Sequence, residues 1–157
     1  MVDVANVMGA RADGWWRDRA GAALRLCREV RALAARETGP SGSRPAAAWV
    51  LVLEGRARDA AERLNDSALP AAGAPPGADW APPQAAASAT AGAADTAVPV
   101  RVVSAPASGD DAIVGVVAEV AGRGESCLVV TADRELRRRC EALGAAVVGP
   151  AWLLRLL

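Results

Sequence analysis

Strand-like and helix-like segments alternate along this chain, and that alternation limits the fold more than any other feature. Largely apolar runs typical of buried strands occur at Trp49–Leu53, Val100–Ser104, residues 127–130 and Ala146–Val148. A shorter strand at the N-terminus of the chain ends with Val2 and Asp3. Between these runs, apolar residues recur every three or four positions, as they do in amphipathic helices. The order predicts an α/β fold in which helices cover both faces of a central, mostly parallel sheet.

The predicted helices have recognisable beginnings and ends. Residues 15–37 carry one apolar stripe that includes Trp15 and Trp16, and a Gly-Pro pair follows this long helix. A second helix opens at Ser108, and a third follows Asp133 and ends before a glycine. Pro150 begins a short terminal helix. We therefore expect one strand to precede each of these helices.

A stretch at about residues 66–97 has a different composition from the rest of the chain. It consists mainly of Ala, Pro, Gly and Ser, and Leu69 and Trp80 are its only large apolar side chains apart from its ends. Such a segment buries too little apolar area to offset its ordering entropy. We predict a single domain over residues 1–157 with a disordered insertion here. The alternative is a docked regulatory segment that Trp80 anchors.

Composition excludes several kinds of site. The chain has no His, so it cannot contain a Ser-His-Asp or Cys-His triad or a His-ligated zinc ion. Its 18 basic and 18 acidic residues balance, so an anionic partner must meet a local cluster of Arg. Three widely spaced cysteines favour buried thiols in a reducing compartment. Without a signal peptide or an apolar run of membrane-spanning length, we expect a soluble cytoplasmic protein with no membrane partner. Its oligomeric state stays open, a homodimer included.

Acidic residues follow four of the predicted strands. Because parallel strands all end at one edge of the sheet, we expect these side chains to lie close together. Crowded carboxylates repel one another unless a cation offsets their charge, and oxygen ligands of this kind suit Mg²⁺ or Mn²⁺. The sequence therefore predicts a metal site, and its candidate ligands in chain order are Asp3, Glu54, Asp110, Asp111 and Asp133.

A divalent ion at this edge would support hydrolysis of a phosphate ester without a histidine base. Arg has the planar geometry that suits phosphate oxygens. The arginines that follow strands at this edge are candidates for phosphate contacts, namely Arg11, Arg17, Arg56, Arg58 and Arg134. Either Trp15 or Trp16 could provide a stacking surface for a base.

Each acid also has a purely structural interpretation. Asp110 and Asp133 are well placed to be turn formers or helix caps, and Glu54 could simply be the first exposed residue after its strand. Asp3 differs, because an acid flanked by Val2 and Val4 is poorly explained as part of a solvated face. It is the joint occurrence at four strand ends that favours a metal site.

Four short motifs, in this order, resemble the NYN branch of the PIN-like nucleases. They are Val2-Asp3-Val4-Ala5-Asn6-Val7, Leu53-Glu54-Gly55, Ser108-Gly109-Asp110-Asp111-Ala112-Ile113 and Val130-Thr131-Ala132-Asp133-Arg134-Glu135-Leu136. The resemblance implies a three-layer PIN-like fold and a Mg²⁺- or Mn²⁺-dependent endoribonuclease whose substrate is RNA.

The same resemblance implies roles for individual residues. Asp3, Asp133 and the Asp110-Asp111 pair would be catalytic metal ligands, with Glu54 as a possible further ligand. Asn6 would position a ligand or phosphate, and we add Arg11, Arg56 and Arg134 as substrate-binding candidates. Two other functions stay open. One is a metal-dependent nucleotide hydrolase such as an NTP pyrophosphohydrolase, although the chain lacks the Glu-x-x-Glu ladder usual in such enzymes. The other is a non-catalytic PIN-like module that binds RNA or protein.

Overall fold

A five-stranded, all-parallel sheet lies at the centre of the computed structural model, which describes residues 1–36, 48–66 and 98–157. The strands occur in the spatial order β3-β2-β1-β4-β5. The sheet confirms the predicted α/β class. The strand bounds are β1 Val2–Asp3, β2 Trp49–Leu53, β3 Val100–Ser104, β4 Leu128–Val130 and β5 Ala146–Val148.

Helices cover both faces of the sheet. Successive side chains of a strand point to opposite faces, so Leu51 and Leu53 of β2 enter one core while Val52 enters the other. Helices α1, α2, α3 and α6 pack on the first core, and α4 and α5 pack on the second. The result is a three-layer arrangement. The helix bounds are α1 Val4–Gly9, α2 Arg19–Arg36, α3 Asp59–Asp66, α4 Gly109–Gly122, α5 Arg134–Ala142 and α6 Pro150–Leu154.

The first helical region differs from the prediction of one helix over residues 15–37. A short α1 follows β1 directly, and α2 begins only at Arg19. Asp18 defines that start, because its Oδ1 accepts a hydrogen bond from the backbone N–H of Gly21 at 2.8 Å. Gly14, at a φ of +77°, lies in the turn between the two helices. Trp15 and Trp16 therefore precede α2 rather than belonging to its apolar stripe.

Two further differences concern β3 and the segment after β2. β3 is an edge strand whose side chains are half-buried or exposed, so the prediction of burial on both faces is wrong there. A 3₁₀ helix at Gly55–Arg58 leads directly into α3, and neither was predicted. The predicted insertion at 66–97 lies, apart from its first residue, outside the described residues. Within the described residues, no helix combines the length and the apolar character needed to cross a membrane.

Candidate functional site

The strand order creates a switch point between β1 and β4. From β1 the chain moves outward to β2 and β3, and it then crosses over to form β4 on the other side of β1. In open parallel sheets, the carboxyl ends of the strands at such a reversal form the usual ligand crevice. Asp3 ends β1 at this point, and Thr131 immediately follows β4. The switch point therefore lies beside the first of the predicted metal ligands.

Hydrogen bonds join the ends of β1 and β4 around the Asp3 carboxylate. Asp3 is only 6% exposed; its Oδ1 accepts from the backbone N–H of Asn6 at 3.1 Å and so caps α1. Its Oδ2 accepts from Asn6 Nδ2 at 2.7 Å and from the hydroxyl of the fully buried Thr131 at 2.8 Å. Thr131 Oγ1 in turn accepts from the N–H of Asp133 at 3.1 Å. Asn6 Oδ1 accepts from the N–H of Ala132 at 3.3 Å. Asp3 is therefore held rigidly at the switch point.

Glu54 connects the end of β2 to the beginning of α4. Its Oε2 accepts a hydrogen bond from the backbone N–H of Gly109 at 2.9 Å. The approach is close, because a Cβ atom at position 109 would lie 2.6 Å from that oxygen. Any larger residue at position 109 would displace the Glu54 side chain. Glycine at the start of α4 thus allows a carboxylate from β2 to lie against this helix.

Burial and the like charge of neighbouring acids raise the pKa values of two carboxylates at this edge. Burial raises the pKa of Asp110, and the negative charges of Asp3, Asp133 and Glu54 raise it further, while Arg139 opposes the shift. Burial also raises the pKa of Asp3; hydrogen bonds that favour its charged form oppose the shift, and Glu54 adds to it. Desolvation and like charge both disfavour an ionised carboxylate. Asp3, Glu54, Asp110 and Asp133 therefore form what we call the acidic edge.

Asp111 does not join the acidic edge. Its side chain is exposed, and its Oδ1 forms an ion pair with Arg139 at 2.7 Å. Neighbouring residues on a helix point about 100° apart, so Asp110 and Asp111 face different surroundings. The N-cap of α4 is Ser108, which accepts from the N–H of Asp111 at 3.3 Å. The interpretation of Asp110 as the helix cap is therefore wrong, and Asp111 is no longer among our proposed ligands.

Asp133 does have the capping role that sequence analysis gave as its alternative. Its Oδ1 accepts from the backbone N–H groups of Glu135 and Leu136, both at 2.8 Å, at the start of α5. In the described part of the chain, its second carboxylate oxygen accepts no hydrogen bond. Capping with one oxygen leaves the other oxygen free to bind an ion.

The donor set of the acidic edge consists of carboxylate oxygens, which are the ligands that Mg²⁺ and Mn²⁺ prefer. Within residues 1–36, 48–66 and 98–157, no group of three or more His, Cys, Asp or Glu side chains is arranged so that it could hold a metal ion. None of the ion pairs among those residues involves any of the four acids. The chemistry of the donors thus suits a hard divalent ion, although their arrangement does not yet form a coordination shell.

The arginine candidates are distributed over several surfaces. Arg11 pairs with Glu29 and lines a depression that is bounded by the C-terminal leucines. Arg17 and Arg56 line one groove together. Arg134 is an exposed residue at the start of α5, directly after Asp133. Arg58 donates to the carbonyl of Pro106 at 3.3 Å.

Two residues that matter to the geometry were not predicted. Thr131 bridges Asp3 and Asp133, and its place in a Thr-x-Asp sequence after a strand was the available signal. Arg19 lines the same groove as Arg17 and Arg56, and its signal was its closeness to the Trp15-Trp16 pair in the sequence.

Comparisons of this chain with family models, with curated proteins and with solved structures give no match. The geometry of the acidic edge therefore carries the functional argument.

Proposed function

We propose that this chain is a Mg²⁺- or Mn²⁺-dependent ribonuclease that hydrolyses RNA phosphodiesters at the acidic edge, on a PIN-like form of the three-layer fold. One observation carries the proposal. The carboxylates of Asp3, Glu54 and Asp133, from segments that are far apart in the sequence, are near enough to Asp110 for their charges to raise its pKa, at the edge of a parallel sheet where strands end. An ordinary surface would not concentrate like charges at a usual ligand site.

The repulsion itself supports a bound cation. Arrangements that bring like charges together oppose folding, and a divalent ion offsets that effect more strongly than any single Arg can. Arg139 is near enough to lower the pKa of Asp110, but its hydrogen bond goes to Asp111. The acidic edge thus keeps an excess of negative charge that a divalent ion would neutralise.

The chain's own residues have distinct roles in this proposal. Asn6 and Thr131 orient the Asp3 carboxylate, and their hydrogen bonds favour its ionised form against the opposing effect of burial. Asp110 accepts no hydrogen bond in the described part of the chain, so its carboxylate is available to an ion. Asp133 contributes its second oxygen. The metal, when bound, lowers the pKa of a water molecule and shields the charge that develops on phosphate oxygens.

A non-catalytic module that binds RNA or protein is the second candidate function. The observation that favours it is the saturation of Asp3, because both of its oxygens already accept hydrogen bonds from Asn6 or Thr131. A carboxylate held in this way can be a structural element that joins β1 to β4 and caps α1.

The test compares two neighbouring aspartates that the structure treats differently. Single-stranded RNA is incubated with the parent chain, with Asp110→Asn and with Asp111→Asn, in Mn²⁺ and in excess EDTA. We expect metal-dependent cleavage by the parent and by Asp111→Asn. For Asp110→Asn we expect the rate of RNA cleavage to fall by more than about 100-fold, since removing a metal ligand has a larger effect than removing a residue that only orients a ligand.

Four outcomes would contradict the ribonuclease proposal. Cleavage that persists in EDTA would exclude the metal, and equal activity of Asp110→Asn and the parent would exclude the acidic edge. Hydrolysis of nucleoside triphosphates in place of RNA would favour a nucleotide hydrolase. Binding of RNA without any cleavage in Mn²⁺ or Mg²⁺ would favour the non-catalytic module.

A further inference from the structure

One groove in the described part of the chain has the features of a binding site for a nucleic acid strand. It has a volume of about 420 Å³ and lies between the segment before α2 and the segment after β2. We call it the tryptophan groove. Its lining includes the side chains of Trp16, Arg17, Asp18, Arg19, Arg56 and Asp59.

Trp16 presents an unusually exposed aromatic ring at this groove. It is 58% exposed, and Leu156 is the other large hydrophobic residue among the described ones with comparable exposure. Its ring and that of Trp15 form a T-shaped pair, with 6.3 Å between the ring centroids and an interplanar angle of 86°. Trp15 itself packs against the core that α2 covers. Trp15, which packs on the core, therefore contacts the Trp16 ring, and the exposed part of the Trp16 ring is accessible to a ligand.

The groove is positively charged although the whole chain is neutral. Three arginines line it, against two aspartates, and none of the ion pairs in the described part of the chain involves those arginines. Arg19 lies over the ring of Trp15, with 5.4 Å from its guanidinium carbon to the ring centroid. Asp18 uses one oxygen to cap α2. The guanidinium groups of Arg17 and Arg56 are thus available to an anion.

One residue of the groove is close in the sequence to the acidic edge. Arg56 follows Glu54 by two positions, so their Cα atoms lie within about 7 Å of each other. Glu54 in turn contacts the start of α4 through the N–H of Gly109. Along the chain, one residue thus separates Arg56 of the groove from Glu54 of the acidic edge.

We infer that the tryptophan groove binds single-stranded RNA, with one base stacked on Trp16 and adjacent phosphates bound by Arg17 and Arg56. RNA rather than DNA as the ligand, and cleavage of the bound strand, rest on the proposed function; binding of the strand rests on the groove alone. Single-stranded bases expose faces that can stack on an aromatic ring, whereas in a duplex those faces are covered by neighbouring bases. The groove therefore selects for unpaired segments.

The test measures binding without cleavage. A fluorescein-labelled single-stranded RNA of about 12 nucleotides is titrated with protein in EDTA, and fluorescence anisotropy reports the dissociation constant. Trp16→Leu keeps an apolar side chain but removes the stacking surface, so we expect binding about 5- to 150-fold weaker. Trp16→Phe keeps a stacking ring and should restore most of the affinity. Because position 16 is exposed, both variants should fold, and circular dichroism checks this.

The charge contribution is tested by the salt dependence of the same titration. Arg56→Gln should reduce the slope of log K against log salt by about 0.7, the value for one phosphate contact on a single strand. Arg123→Gln is the matched control, since Arg123 is the C-cap residue that follows α4, does not line the groove and pairs with Glu125. Its slope should equal that of the parent.

The outcomes separate this inference from the proposed function. Unchanged affinity in Trp16→Leu, no binding of single-stranded RNA by the parent, or equally tight binding of a duplex would contradict RNA binding at the tryptophan groove. If the parent cleaves RNA in Mn²⁺ but Trp16→Leu binds like the parent, the groove is not the binding site and the ribonuclease proposal is retained. If binding depends on Trp16 and Arg56 but no metal supports cleavage, the groove is the binding site and the ribonuclease proposal is wrong.

Discussion

Replacing Thr131 with Val tests whether the link between β1 and β4 depends on a hydroxyl that serves a buried carboxylate. Thr131 is fully buried, and its hydroxyl donates to Asp3 at 2.8 Å and accepts from the N–H of Asp133 at 3.1 Å. A hydrogen bond to a charged group contributes about 1.5–3 kcal/mol to stability, and one between neutral groups about 0.5–1.5 kcal/mol. We therefore expect Thr131→Val to lower the free energy of unfolding by about 2–4 kcal/mol.

The matched variant is Thr131→Ser, which keeps the hydroxyl and loses only a methyl group. Removing one buried methyl lowers stability by about 1 kcal/mol. Urea unfolding followed by circular dichroism measures both variants. If the free energy of unfolding falls by about 2 kcal/mol per molar urea, Thr131→Val should lower the urea concentration at the unfolding midpoint by about 1–2 M and Thr131→Ser by about 0.5 M.

The same pair of variants gives a pH signature. The Thr131 hydroxyl favours the ionised form of Asp3, so its removal raises the pKa of Asp3 beyond the increase that burial already causes. The deficit of Thr131→Val should therefore shrink as the pH falls and Asp3 becomes protonated. If Thr131→Val is as stable as Thr131→Ser at neutral pH, the hydroxyl does not support the carboxylate and the reasoning fails.

Three further predictions concern other parts of the acidic edge. Burial chiefly raises the pKa values of Asp3 and Asp110 above their ordinary 3.8, so between the ordinary and the raised values the folded chain binds more protons than the unfolded chain. The free energy of unfolding should therefore increase as the pH falls through that window. Asp110→Asn should flatten this increase when stability is measured by urea unfolding at a series of pH values. Asp133→Ala should lower stability by about 0.5–2 kcal/mol through loss of the α5 cap, whereas Asp133→Asn should change it by only a few tenths; equal losses would argue against capping. Gly109→Ala should displace the Glu54 side chain and weaken Mn²⁺ binding. Its free energy of unfolding should change by less than about 1 kcal/mol, because the higher helix propensity of Ala offsets the lost hydrogen bond between the N–H of residue 109 and Glu54. Unchanged Mn²⁺ affinity would remove Glu54 from the site.

The sheet was largely predictable because its strands are short, continuous apolar runs bounded by turns. The predicted limits of β2, β3 and β5 agree with the structure, and the prediction for β4 is one residue too long. The order of the strands was not predictable, since an alternation of strands and helices does not say on which side of β1 the chain places β4. The switch point, and with it the centre of the site, therefore emerges only from the structure.

Local signals in the first helical region were present but competed with a stronger pattern. Apolar residues from Trp15 to Ala34 follow helical spacing, and this periodicity predicts one helix. Asp18 interrupts it, because its side chain accepts from the N–H of Gly21 and α2 begins only after it; Gly14, just before Trp15, adopts a positive φ in the preceding turn. The exposed position of Trp16 follows from that interruption and not from its spacing.

The composition of the acidic edge could be predicted only in part. Acids at strand ends were expected to converge, and in the structure the charges of Asp3, Asp133 and Glu54 act on Asp110. Which of two adjacent aspartates turns inward depends on the rotation of α4, which places Asp111 beside Arg139. That partner comes 28 positions later in the chain, and no local pattern in the sequence connects the two.

Mn²⁺ binding, followed by the electron paramagnetic resonance signal of the free ion, tests most directly whether the acidic edge is a cation site. The parent chain, Asp110→Asn and Asp111→Asn are each titrated with Mn²⁺ at constant pH and salt. We predict that the parent and Asp111→Asn bind Mn²⁺ with the same affinity and that Asp110→Asn binds at least about 10-fold more weakly. Equal affinity of all three proteins, or no binding by the parent, would contradict it.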